Sequence, residues 1–149
     1  ETGLVGRGVS ALIQSNLTES EIVLATYIFN SVGKTIWVQN EEWMHAITAV
    51  SGSGPAYFFH MMDLLKTAAM KSGIPEDIAE TLSVQTAIGS SQLALNSADD
   101  LLTLKKKVMS PGGTTEAAFK SLDENDLDKV WNEAIEAARN RSIELGSNK

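Results

Sequence analysis

Residues 55–72, PAYFFHMMDLLKTAAMKS, set the strongest limit on what this chain can fold into. Pro55 suits the first position of a helix, and Gly73 supplies the stop. At helical spacing His60, Asp63, Thr67 and Lys71 share one narrow stripe, while Tyr57, Phe58, Met61, Met62, Leu64, Leu65 and Ala68 fill the rest of the circumference. A helix apolar around most of its girth is stable only when covered on most sides. The run is no membrane span, because His60, Asp63 and Lys66 would each be costly inside a bilayer. It predicts a buried central helix that needs more surface than one chain of 149 residues obviously supplies. Dimerisation would provide the cover. The competing reading is a monomer that buries its own helices.

The flanking sequence divides in two. Residues 6–13 (GRGVSALI) and 33–39 (GKTIWVQ) are short, β-branched or aromatic, and marked by Gly, as strands are. Between them Thr18-Glu19-Ser20-Glu21 has the spacing of a capping box, followed by Ile22, Leu24, Ala25, Ile28 and Phe29 at helical intervals. Two strands alone are marginal in water, so this strand–helix–strand unit, residues 1–40, reads as the end of a larger sheet. From 41 to 149 every signal is helical. A short helix runs from Glu41 to about Val50 and ends at Ser51-Gly52. After the apolar helix, others are expected from Pro75 towards Asn96, from Ser97 and Asp100 through Lys107, from Thr114 to about Leu122, and from Asp126 to about Leu145. Gly89 within the second of these costs roughly 1 kcal/mol against Ala, which close approach of another helix would recover. The last helix aligns Leu127, Val130, Trp131, Ala134 and Ala138 on one face. The chain opens at Glu1-Thr2-Gly3 without Met and without a capping or turn signal, which predicts a shortened chain with leftover vector residues.

Composition removes several functions. A net charge of -7 opposes nucleic-acid binding, which requires a basic face. Lys105-Lys106-Lys107 fits a solvated helix end. With no Cys there are no disulfides, thiolate sites or cysteine chemistry, and the chain fits a cytoplasmic protein. The two histidines, His45 and His60, lie fifteen residues apart without a pattern of acidic partners, so no metal site is expected. No segment reads as a signal peptide or membrane span.

Two segments place a Gly-containing loop directly before a helix. In the first, Ser51-Gly52-Ser53-Gly54-Pro55, the GxGxxG arrangement and the Lys-Ser/Thr pair of a phosphate loop are both missing, so nucleotide binding fails here. Its glycines instead suit close packing of two backbones. In the second, Ser110-Pro111-Gly112-Gly113-Thr114-Thr115, Pro and two Gly make a tight turn that a ligand can approach closely. The helix that follows has free first amides, and such an end attracts a carboxylate or phosphate. A simple Thr-capped helix after a Gly turn is the plainer reading of the same residues.

SGSGPAY at 51–57 together with SPGGTT at 110–115 resembles the paired signature of the pyrroline-5-carboxylate reductases. The similarity runs from Leu4-Val5-Gly6-x-Gly8 through Gly33-Lys34 and Glu41-Glu42 to the final helix, with Leu104 and Val108 before the second motif and Ala117, Ala118 and Leu122 after it. The resemblance implies a mainly α fold: a multi-helix dimerisation domain like the C-terminal domain of 6-phosphogluconate dehydrogenase, preceded by a strand–helix–strand remnant of a Rossmann domain. It implies reduction of 1-pyrroline-5-carboxylate to proline with NADPH or NADH, held by an N-terminal Rossmann domain whose fingerprint this chain lacks. It also implies an interdigitated homodimer able to assemble into a decamer of five dimers. The substrate carboxylate would be held by Val108, Ser110, Gly112, Gly113, Thr114 and Thr115. Thr115 would be the catalytic hydroxyl nearest the imine nitrogen, and Ser51, Gly52, Ser53, Gly54 and Pro55 would support the site. A Thr hydroxyl is a poor acid, so positioning through a hydrogen bond suits Thr115 better than proton donation.

The chain departs from that pattern twice. His45 stands where the family usually has Asp before the Ala-[Val/Ile]-Thr stretch, and a lone, partly buried His is more often structural than catalytic. The Asn-Thr-Pro that normally precedes this region is absent, as expected for a chain that begins there. Two other functions compete: a helical dimerisation module without a catalytic role, and a reductase for a related imine or keto acid on the same architecture.

Overall fold

The structure, a computed structural model, describes residues 2–147. The expected domain limits at residues 1 and 149, and the Glu1 of the opening triplet, lie outside the described residues. The chain forms two compact units: residues up to Tyr57 together with those from Glu133 onward, and Phe58–Asn132.

The first unit opens with a 3-10 turn, Thr2–Val5, closed by hydrogen bonds from Gly6 N–H to Gly3 O and from Arg7 N–H to Thr2 O. The chain start therefore does carry a turn, contrary to the sequence reading, because Gly6 adopts φ +66 where no cap residue advertises it. Strand β1 (Gly8–Ile13) and strand β2 (Gly33–Val38) pair in parallel from Gly8 with Gly33 to Ile13 with Val38, joined through helix α1 (Glu19–Asn30). At the first pair the backbones nearly touch. A Cβ built on Gly33, whose φ is +150, would lie 1.9 Å from the Gly8 carbonyl oxygen. Glycine is required there by both space and conformation.

α1 starts on the expected capping box. Thr18 Oγ1 accepts from Glu21 N–H, and Glu21 Oε2 accepts from Thr18 N–H at 2.8 Å. The hydrogen bond to the Thr18 hydroxyl is the main reason the Glu21 carboxyl is held below its ordinary range. Trp37 of β2 donates its indole N–H to Thr26 Oγ1 at 3.0 Å, tying sheet to helix.

Helix α2 covers Trp43–Ile47, and the next turn, Thr48–Gly52, is π-helical, closed by Ser53 N–H on Thr48 O. The sequence reading ended this helix at Ser51-Gly52. The helical run does stop at Gly52, after a last turn whose hydrogen-bonded ring is one residue larger, and Ser53 alone separates it from helix α3 (Gly54–Lys71). In the same unit His45 Nδ1 lies 3.0 Å from Ser142 Oγ in helix α7 (Leu127–Ser147), and a Cβ on Gly146 would sit 3.3 Å from the imidazole. His45 is thus seated against α7 in a structural position.

The second unit holds the body of α3, helix α4 (Glu76–Asn96), helix α5 (Leu101–Val108), helix α6 (Thr114–Glu124) and the start of α7. α3 ends as expected at Gly73, at φ +91. Gly73 N–H bonds to Met70 O and Ile74 N–H to Ala69 O, the pairing that satisfies the last carbonyls of a helix. Across this turn Lys66 Nζ meets Glu76 at 2.8 Å and Glu80 at 3.0 Å, on the first turns of α4. Those two bonds, Glu76 first, hold the Lys66 ammonium well above the ordinary lysine range. Pro75 is the N-cap of α4, which therefore begins at Glu76, one position later than expected.

Burial inside this chain is slight. Among the described residues Val38, Ala49, Gly54, Ala79 and Ser83 are buried, and no large side chain is fully so. The expectation of a buried α3 is not met by the chain itself: Phe58 is 64% and Phe59 58% exposed, and Met61, Leu64 and Leu65 are exposed with them. Val130 and Trp131 of the apolar face of α7 are likewise exposed. Among the described residues nothing covers these faces. Gly89 also has open space around a built Cβ, so no close approach within the chain recovers its helical cost.

Candidate functional site

The expected site residues lie in two places, one in each compact unit. Ser51 and Gly52 form the end of the π-helical turn, Ser53 follows it, and Gly54 and Pro55 begin α3. Gly54 is buried, yet a Cβ there would meet nothing within 4 Å, and one on Gly52 would meet only Thr48 Cγ2 at 3.6 Å. Within this chain these glycines do not carry a close backbone crossing.

The second segment is a built loop. α5 begins on Asp100, whose carboxylate accepts the Thr103 N–H at 2.7 Å and is held below its ordinary range chiefly by that bond. Ser97, expected to share the capping, instead bonds to the Asp99 N–H at 3.0 Å. Asp99 in turn pairs with Lys107 near the other end of α5, and that contact is the first cause of its lowered pKa. Two residues earlier Lys105 Nζ stands 3.7 Å over the Phe119 ring of α6, a cation–π contact that links the two helices flanking the loop.

Between those helices the chain turns at Ser110–Gly113. Gly112 has φ +70, and Gly113 N–H donates to Ser110 O at 2.9 Å. Gly113 is the N-cap of α6, with extended φ -85 and ψ 171, and provides no side-chain cap. A Cβ at Gly113 would approach Ser110 O to 2.9 Å, so the tight turn itself excludes a capping side chain. Gly112 N–H is taken by Glu116 Oε2 at 2.7 Å. Thr114, Thr115 and Glu116 form the first turn of α6, whose N–H groups have no partner within the helix. Thr115 is half-buried, whereas Val108, Ser110, Gly112 and Thr114 are exposed. The segment Ser110–Thr115 therefore presents amide and hydroxyl donors on a turn with almost no side-chain bulk. Such a surface suits a small carboxylate more than a large or cationic ligand.

Sequence reading missed two contributors here. Glu116 lies three residues after Gly113, the acid spacing of a capping box, and that signal was legible. The Lys105–Phe119 contact joins two helices and has no local signature. No group of three or more His, Cys, Asp or Glu among the described residues could hold a metal ion. No helix among them is long and apolar enough to cross a membrane.

The family model described as pyrroline-5-carboxylate reductase dimerisation matches residues 41–145. The pyrroline-5-carboxylate reductase of Pseudomonas aeruginosa is 39% identical over 143 residues, covering 95% of this chain and 52% of that protein. The enzyme of Pisum sativum is 36% identical over 142 residues, with the same coverage. Among solved structures, the pyrroline-5-carboxylate reductase of Coxiella burnetii superposes with a TM-score of 0.90 at 39% identity, over 95% of this chain and 53% of that one. Pyrroline carboxylate reductase of Plasmodium falciparum, solved with NADP bound, gives 0.85 at 32% identity, over 97% and 58%. The chain spans about half the length of the relatives it matches. With the family model covering most of its length and the Ser110–Thr115 loop intact, this chain belongs to the pyrroline-5-carboxylate reductase family, in the region of its dimerisation domain.

Proposed function

We propose that this chain is the dimerisation and substrate-binding part of a reductase that converts 1-pyrroline-5-carboxylate to L-proline with NADPH or NADH. The Ser110–Thr115 loop carries the reading. It offers the free amides of α6 to the substrate carboxylate and the Thr115 hydroxyl to the imine nitrogen. An acidic protein can hold a small anion this way because the donors are backbone dipoles and need no net positive charge. Thr115 orients the imine, and Val108, Ser110, Gly112, Gly113 and Thr114 line the carboxylate end. Ser51–Pro55, at the start of α3, are the supporting residues that the family resemblance implies.

The nicotinamide cofactor supplies the hydride when bound. The residues present do not fit its principal site. The strand-to-helix turn after β1, Gln14–Leu17, has no glycine, and Glu19 and Glu21 occupy the first turn of α1 where a pyrophosphate would need positive potential. We assign residues 1–40 to the end of a nucleotide-binding domain and 41–149 to the helical domain, a division supported by the start of the family match at residue 41. The nucleotide's own contacts then belong to protein outside this chain. A cytoplasmic protein without nucleic-acid or membrane partners accords with the cysteine-free, acidic composition.

The test is turnover by the full-length protein. Proline should form from 1-pyrroline-5-carboxylate with NADPH or NADH, and faster reduction of a 2-keto acid would instead favour the related reductase. The exposed face of α3 supports a homodimer, with a decamer of five dimers as the larger assembly. Phe58→Glu, which sets a charge on that face, should lower the mass measured by light scattering from dimer to monomer. An unchanged mass would exclude this face from the dimer contact.

A further inference from the structure

We propose that Glu116 is a positioning residue for the carboxylate loop, an inference that rests on the substrate-loop reading above. Two capping arrangements in this chain make the case by contrast. At α1 the box is reciprocal: the Thr18 hydroxyl serves the Glu21 amide, and the Glu21 carboxylate serves the Thr18 amide. At α6 only the acid half exists. Glu116 reaches back four residues to the Gly112 N–H at 2.7 Å, and Gly113 has no hydroxyl to give in return.

This asymmetry divides the loop donors into two groups. Gly112 and Gly113 spend their N–H groups inside the loop, on Glu116 Oε2 and on Ser110 O. The donors that a capping hydroxyl would have occupied, at the start of α6, stay available. Gly112 is the flexible element, because its φ of +70 is only one of the conformations open to glycine. The charge-assisted bond to Glu116 selects that conformation and so sets the direction of the Thr114 and Thr115 donors before a ligand arrives. Glu116 touches no substrate atom on this account; it acts through the Gly112 turn.

The test is steady-state kinetics of the full-length reductase. Glu116→Ala should raise KM for 1-pyrroline-5-carboxylate about three- to tenfold, the loss expected for one solvent-exposed loop hydrogen bond, with kcat within about twofold and KM for the nicotinamide cofactor unchanged. Glu116→Gln, whose amide oxygen can still accept the Gly112 N–H, should restore most of the wild-type KM. Three results would overturn the proposal: an unchanged KM in Glu116→Ala, a lowered KM, which would make Glu116 a competitor for the site, or Glu116→Gln as impaired as Glu116→Ala. Thr115→Ala separates this from the parent reading. If Thr115→Ala raises KM or lowers kcat while Glu116→Ala does neither, only the positioning role fails. If neither variant changes the kinetics, the loop is not the substrate site.

Discussion

Thr115→Ala in the full-length reductase is expected to lower kcat/KM by roughly ten- to a thousandfold, the range set by removing one preorganised donor from a reacting centre. The mechanism is specific. In the proposed reduction the ring nitrogen would gain basicity as the imine carbon is reduced, and a hydroxyl hydrogen-bonded to it would be worth more in the transition state than in the ground state. A Thr hydroxyl does not compete as an acid, so the loss should fall mainly on kcat and change little between pH 6 and 8. Thr115→Ser keeps the donor and should retain most of the activity. Stability should move little, because α6 takes its N-cap from Gly113 and its acid partner from Glu116, and Thr115 serves neither role. A Thr115→Ala enzyme with wild-type kcat/KM would remove this residue from the chemistry.

Gly33→Ala is expected to have the largest effect on folding. Its Cβ would be placed 1.9 Å from the Gly8 carbonyl oxygen and 2.5 Å from two further backbone atoms, and no side-chain rotation can relieve a clash with main chain. The φ of +150 adds strain for any residue with a Cβ. The first pair of the two-stranded sheet must then separate, at a cost of about 3 kcal/mol or more. Hydrogen exchange would show the result directly: strand amides from Val9 to Ile13 should lose protection while those of α6 keep theirs. Gly89→Ala is the matched control. It adds the same methyl in open space within α4 and should stabilise the helix by about 1 kcal/mol. Equal protection in wild type and Gly33→Ala would show that the sheet tolerates the separation.

The features legible in the sequence are those written within one turn of chain. Thr18 with Glu21, Asp100 before α5 and Gly73 after α3 each act on a neighbour no more than four residues away, and each lies where its spacing indicated. The π-helical turn at Thr48–Gly52 escaped because one extra residue in a hydrogen-bonded ring leaves no mark on composition. His45 is a harder case. Its partner Ser142 lies 97 positions away, so spacing could suggest only that the imidazole was structural. In the loop, the order Ser-Pro-Gly-Gly-Thr-Thr identified the segment, but the bond from Gly112 to Glu116 did not follow from it. The acid serves the residue before the N-cap, a shift of one that only coordinates reveal. The apolar circumference of α3 predicts a buried helix, whereas Phe58, Phe59, Leu64 and Leu65 are exposed among the described residues, because sequence pattern shows which face is apolar and not what covers it.

In the proposed homodimer, that uncovered helix would make the folded state answerable to mass action. Where Phe58, Phe59, Leu64 and Leu65 are buried by a second copy, the free energy of the assembled fold carries a concentration term. Each tenfold dilution then weakens the dimer by about 1.4 kcal/mol, an amount comparable to a helix cap. The Ser110–Thr115 loop lies between α5 and α6 of the same unit, so in the proposed homodimer its set geometry would depend on a concentration that keeps the dimer assembled.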